Sequence, residues 1–159
     1  MKTTLCIFSI CLAVACQTNP QTASINTSKN RYDSTLAAQY GADAYGMKAY
    51  VMAFLYAGPN RNQDSTKAIE LQTAHLNNIG RLADAGKLVL AGPFLADDSL
   101  KGIYIFNVTT IAEAKALTET DPAIQAGRLV MDLKPWYGSA ALMGVNKVHG
   151  TLAKQGITE

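Results

Sequence analysis

The sequence predicts one small α+β domain with the element order β-α-β-β-α-β, behind an export segment and a polar tether. Three observations carry this expectation. Four apolar runs rich in β-branched and aromatic residues lie at Lys48–Tyr56, Lys87–Phe94, Ile103–Val108 and Leu129–Trp136. Two stretches with helical spacing separate the first run from the second and the third from the fourth. All three cysteines, Cys6, Cys11 and Cys16, precede the domain.

The chain has 159 residues, enough for one domain with a real core. Its formal net charge is +2 with scattered basic residues, so it has no electrostatic footprint for nucleic acid. At the N-terminus Lys2 is followed by Leu5–Ala15, which is almost wholly apolar. That run suits a signal-peptide core and falls short of the roughly 20 residues that cross a bilayer. Residues 1–15 are therefore expected to be a signal peptide. Ala13-Val14-Ala15-Cys16 has the small residues and cysteine of a bacterial lipobox, with Leu12 four rather than three residues before the cysteine. Lipidation of Cys16 would anchor the chain to a membrane of the cell envelope. Plain cleavage after Ala13-Val14-Ala15, giving a soluble periplasmic or secreted protein, is the alternative. Residues 16–46 are rich in Gln, Thr, Ser, Asn, Ala and Gly. They cannot bury enough apolar surface to offset backbone ordering, which predicts a flexible tether, with at most a helical turn at Leu36–Tyr40.

The domain is expected at 47–137. Lys48–Tyr56 reads as a mostly buried strand ended by Gly58-Pro59-Asn60. Asp64 or Ser65 caps a helix over Thr66–Ala85, with Gly86 as its stop. Its core stripe is Ala68, Leu71, His75, Ile79 and Leu82. Lys87–Phe94 is the second strand, Asp97–Gly102 a turn, and Ile103–Val108 the third strand. Thr110–Glu119 is the second helix, packing through Ala112, Ala116 and Leu117. Asp121-Pro122 opens a short helix or turn, and Leu129–Trp136 is the last strand. Residues 138–159 read as a loosely packed C-terminal extension. The order is the ferredoxin-like one, an antiparallel sheet with both helices on one face. The apolar strands leave the other face to be covered, and a homodimer whose sheets meet is the simplest cover.

Three motifs in order are specific: His75-Leu76 in the first helix, Gly92-Pro93-Phe94 closing the second strand, and Asp121-Pro122 after the second helix. With these, residues 48–137 resemble the YciI or YCII-related family. The resemblance implies a dimeric α+β barrel, similar to muconolactone isomerases and antibiotic-biosynthesis monooxygenases. It also implies a His and an Asp in one pocket, by motif His75 and Asp121. Some relatives remove HCl from chlorinated lactones. The export segment is a departure from the plain family domain and points this chain to the envelope.

The residues themselves allow two readings. Histidine suits general acid–base work because its ordinary pKa is near 6.5. On an apolar helical stripe, however, His75 is equally a buried core residue. Asp121 before Pro122 is a natural helix cap, holding the amide of Ala123 or Ile124. It can also orient His75 by accepting one ring N–H. The domain has no cysteine nucleophile, glycine-rich phosphate loop or multi-histidine metal site, the only other histidine being His149 in the tail. What remains is proton transfer without a cofactor. Phe94, Trp136 and Tyr137 are the expected substrate walls, with Tyr104 and Phe106 as further candidates. Arg81 and Arg128 are candidates for binding an anion. The expected function is an exported domain using His75 and Asp121 for proton transfer or elimination on a small apolar molecule. A non-catalytic binding or structural domain of the envelope is the alternative.

Overall fold

Local chemistry starts and stops each element. A computed structural model of the chain describes residues 31–157. The expected signal peptide, Cys16 and the tether up to residue 30 lie outside the described residues. In the remaining part of the expected tether, Asp33 accepts a hydrogen bond from Leu36 N–H at 2.9 Å and opens a short helix, α1 (Ser34–Tyr40). Gly41 ends it with φ +67°. Strand β1 spans Met47–Ala57. Helix α2 spans Ser65–Asp84, and Asp64 caps it by accepting from Lys67 N–H at 2.8 Å. Gly86, at φ +66°, turns the chain out of that helix. Strands β2 (Leu88–Pro93) and β3 (Leu100–Phe106) follow, then α3 (Ile111–Thr118), α4 (Pro122–Gln125) and β4 (Leu129–Ser139).

The four strands form one antiparallel sheet in the order β2-β3-β1-β4, the ferredoxin-like arrangement that the sequence predicts. In register, Val51 of β1 lies between Phe106 of β3 and Pro135 of β4. Alternation then sends Val51, Ala53, Leu55, Tyr104 and Phe106 to the helix side, where they form the main core with Leu82, Leu88 and Ala114. Leu129, Met131 and Leu133 of β4 pack against that core from one edge. On α2 the buried residues are Leu71, His75, Asn78 and Leu82, while Ala68 and Ile79 are half-buried.

Two expectations are corrected here. Helix α3 buries Ala114 and Thr118, with Leu117 half-buried, whereas Ala112 and Ala116 are exposed. A short helix with alanine at every second position from 112 to 116 has little amphipathic contrast with which to show its buried side. The segment after Tyr137 is also not loose. β4 continues to Ser139, pairing with Met47, and a 3₁₀ turn (Ala140–Gly144) and helix α5 (Val145–Leu152) follow. Leu142 and Met143, like Trp136, pack against the cluster of Tyr50, Val89 and Ile105 on the second sheet face. Tyr50 O–H donates to the Ser139 carbonyl at 3.1 Å, Ala140 N–H to the Gly46 carbonyl at 2.9 Å, and Asn146 Nδ2–H to the Leu88 carbonyl at 2.8 Å. Part of the sheet face is thus covered by the chain's own C-terminal segment.

Candidate active site

His75 sits midway along α2 and points at the sheet because it shares the helical face of Leu71 and Leu82. Asp121 arrives from the other side of the chain as the cap of α4. Its Oδ1 accepts from Ala123 N–H at 2.8 Å, leaving Oδ2 free for a second partner. That partner is His75, whose Nδ1 lies 2.6 Å from Oδ2. A carboxylate only accepts, so Nδ1 carries the proton and the lone pair of the neutral ring is on Nε2. Asp121 is fully buried and His75 is 7% exposed. The two roles foreseen for Asp121, cap and orienting partner, are filled by different oxygens of one carboxylate.

A polar corner holds this pair in register. Asn78, one turn beyond His75, accepts at Oδ1 from Arg81 Nη2 at 2.7 Å and from Thr120 Oγ1 at 3.2 Å. Arg81 Nη2 also donates to Thr120 Oγ1 at 2.8 Å. The corner therefore ties α2 to the residue just before Asp121. Arg81 is engaged in this corner and is not among the residues lining the cleft beside His75. Among the described residues, no buried side-chain nitrogen or oxygen lacks a hydrogen-bond partner. Of this corner Asn78 is buried, while Arg81 and Thr120 lie at the surface.

Tyr104 of β3 completes the group. Its hydroxyl lies 3.3 Å from His75 Nε2, and the two rings lie nearly parallel with centroids 6.2 Å apart. Burial first, and the Asp121 carboxylate second, push the Tyr104 pKa well above that of ordinary tyrosine. Tyr104 therefore stays protonated through the physiological range and acts as a donor, either to Nε2 or to an oxygen brought beside it.

His75 and Tyr104 open onto a cleft of about 390 Å³. Its floor and walls are Leu55, Leu76, Ile79, Ala91, Ala123 and Leu129. Phe94 and Pro93 stand at the end of β2, and Gln72, Arg61, Lys101 and Arg128 add polar groups. Apolar walls with a few converging polar groups are the usual make-up of a small-molecule site.

Of the residues expected to line the site, Phe94 does so and the other two do not. Trp136 lies on the opposite sheet face, with its ring centroid 5.9 Å from that of Tyr50. Tyr137 donates its hydroxyl to Asp43, which also accepts from Tyr45 N–H at 2.8 Å and Met47 N–H at 3.0 Å. The Tyr137 bond is the main reason that the Asp43 carboxyl is held below its usual range. These residues clasp the end of β4 to the entry of β1, away from the cleft. Phe106, the other aromatic candidate, is core. Sequence reasoning missed Asn78 and Arg61, and it ranked Tyr104 no higher than its neighbours. The spacing of Asn78 from His75 is the one signal that could have found it, since i and i+3 share a helical face.

The YCII-related domain family matches the chain over residues 49–137. No curated protein matches it. Eight chains of solved structures do. One is 5-chloro-2-hydroxyhydroquinone dehydrochlorinase from Burkholderia phenoliruptrix AC1100, in complex with 2,5-dihydroxybenzoquinone. It is 22% identical, covers 54% of this chain and 92% of its own, and has a TM-score of 0.40.

Proposed function

This chain belongs to the YCII-related domain family, and we propose that it catalyses proton transfer, as deprotonation or elimination, on a small and largely apolar molecule bound in the cleft. The observation that carries this reading is the buried chain Asp121–His75–Tyr104, with contacts of 2.6 and 3.3 Å, at the wall of a cleft. His75 Nε2 takes a proton from the substrate. The electron pair left behind moves onto a neighbouring carbonyl or expels a leaving group. The Tyr104 hydroxyl donates to the oxygen that gains charge, and Asp121 stabilises the imidazolium that forms.

Asp121→Asn tests the reading without removing the cap, because asparagine caps helices about as well as aspartate. If the amide oxygen keeps the Ala123 N–H, its NH₂ faces His75 Nδ1 and forces the proton to Nε2. The base is then in the wrong tautomer. Proton exchange into D₂O, followed by NMR over a panel of cyclic ketones, lactones and hydroxyquinones, is expected to slow by about 10²–10⁴-fold with little change in melting temperature. Exchange that survives this substitution would remove Asp121 from the reaction, and exchange with none of the probes would instead favour a non-catalytic binding domain.

We further infer that two copies associate through the second sheet face. Phe54, Tyr56 and Ile103 there are only half-buried, and Val130 is 43% exposed, beyond the part that Leu142 and Met143 cover. Light scattering is expected to give twice the chain mass for the wild type and the single mass for Phe54→Glu. A monomeric wild type would sink the inference.

A further inference from the structure

Two arginines of the cleft take no part in proton transfer. Arg61, in the loop after β1, and Arg128, at the start of β4, both line it. Neither is ion-paired among the described residues. Among the described residues the lining contains no aspartate or glutamate, and Asp121 is fully buried behind His75. Lys101, the other cation of the lining, pairs with Asp97 at 3.5 Å.

Both guanidinium groups are held in place by the fold. Arg61 Nη1 donates to the Arg128 carbonyl at 3.2 Å, and Arg128 Nη1 donates to Gln63 Oε1 at 3.2 Å. The loop itself is tied to the start of β4. Gly58 N–H donates to the Arg128 carbonyl at 2.8 Å, and Asn60 N–H to the Gly127 carbonyl at 3.0 Å. The approach is so close that a Cβ on Gly58 would lie 2.2 Å from the Gly127 oxygen. Each guanidinium has five N–H donors in a planar fork, so most of that capacity remains for a ligand.

We propose that the cleft takes a small molecule bearing a carboxylate, which seats on Arg61 and Arg128 while the apolar body of the molecule extends to His75. A planar carboxylate matches the guanidinium fork and can accept two parallel N–H bonds from it. Anchoring the anion at one end holds the carbon to be deprotonated at the other, which is where positioning contributes to rate. The identity of this substrate class rests on the proton-transfer reading, but the anion seat is measurable apart from any chemistry.

The test is an NMR titration of the ¹⁵N-labelled chain with benzoate and, separately, with its neutral isostere benzamide. The wild type is expected to bind benzoate about tenfold or more tightly than benzamide, with the largest shifts at residues 61 and 128. Arg61→Gln and Arg128→Gln are each expected to reduce that preference to about threefold or less. Arg61 is exposed, so its variant keeps the test open if Arg128→Gln folds poorly. Equal affinity for the two ligands, no saturable benzoate binding at millimolar concentration, or a preference that survives both substitutions would overturn the proposal. Normal benzoate preference without Asp121-dependent exchange would remove the chemistry and leave the seat. The opposite pair of results would remove the seat and leave the chemistry.

Discussion

Replacing His75 with alanine is expected to lower the proton-exchange rate by about 10²–10⁴-fold, the usual worth of a positioned general base. The substitution also strips Asp121 Oδ2 of its 2.6 Å partner and leaves a buried carboxylate half-satisfied. It should therefore also cost about 1–3 kcal/mol of stability, the penalty for a buried polar group left unpaired. The two effects are separated by His75→Gln, whose side-chain amide can donate to Asp121 but cannot accept a proton at neutral pH. Melting temperature should largely recover in His75→Gln, and activity should not. Substantial exchange by His75→Gln would rule out His75 as the base. Full loss of activity in both variants with stability recovered in one would show that the imidazole, rather than the integrity of the corner, carries the reaction.

The largest stability effect is expected at Phe106. Its ring is fully buried in the helix-side core, between Val51 of β1 and Leu88 of β2 in register. It packs edge-on to Tyr104, with centroids 5.7 Å apart and planes at 83°. Truncation to alanine removes that burial and opens a cavity that the central strands cannot close without breaking their pairing. A loss of about 3–5 kcal/mol is expected, which is a large share of the roughly 5–15 kcal/mol that holds a typical domain folded. Urea unfolding should show a lower midpoint with an unchanged slope. A change below about 1 kcal/mol would mean that the core near Tyr104 is far more plastic than this packing implies. Because Tyr104 leans on Phe106, the same variant should also loosen the donor beside Nε2.

Phe106 and Trp136 show where sequence reasoning stops. Both are aromatic strand residues; Trp136, at the end of the last strand, reads as a site wall and Phe106 only as a further candidate. A strand alternates its faces with a period of two, so its own sequence separates the residues into two sets. It does not say which set meets the helices. That sign comes from pairing over long separations, such as Tyr50 with Trp136 and Val51 with Phe106. The α3 misreading has a related cause: its alanine-rich sequence gives no contrast between faces. The C-terminal segment was hidden for another reason. Residues 138–152 carry few strongly apolar side chains, and their order comes from Ser139, Ala140 and Asn146 bonding to distant backbone groups.

The sequence alone settled the element order and most of the caps and stops. Asp64 before α2, Gly86 after it and Asp121 before Pro122 act within a few residues of themselves, so their chemistry is visible in the string. His75 and Asp121 were named through motif resemblance, since local rules by themselves pointed each to a structural role. Folding across 46 residues put them 2.6 Å apart. It likewise brought Tyr104, Arg61 and Arg128 to one cleft, and sent Trp136 and Tyr137 away from it. Helix propensities and turn residues act through bonds between near neighbours. A cleft is made by residues from separate elements, and their meeting is specified only by the register and handedness of the assembled sheet.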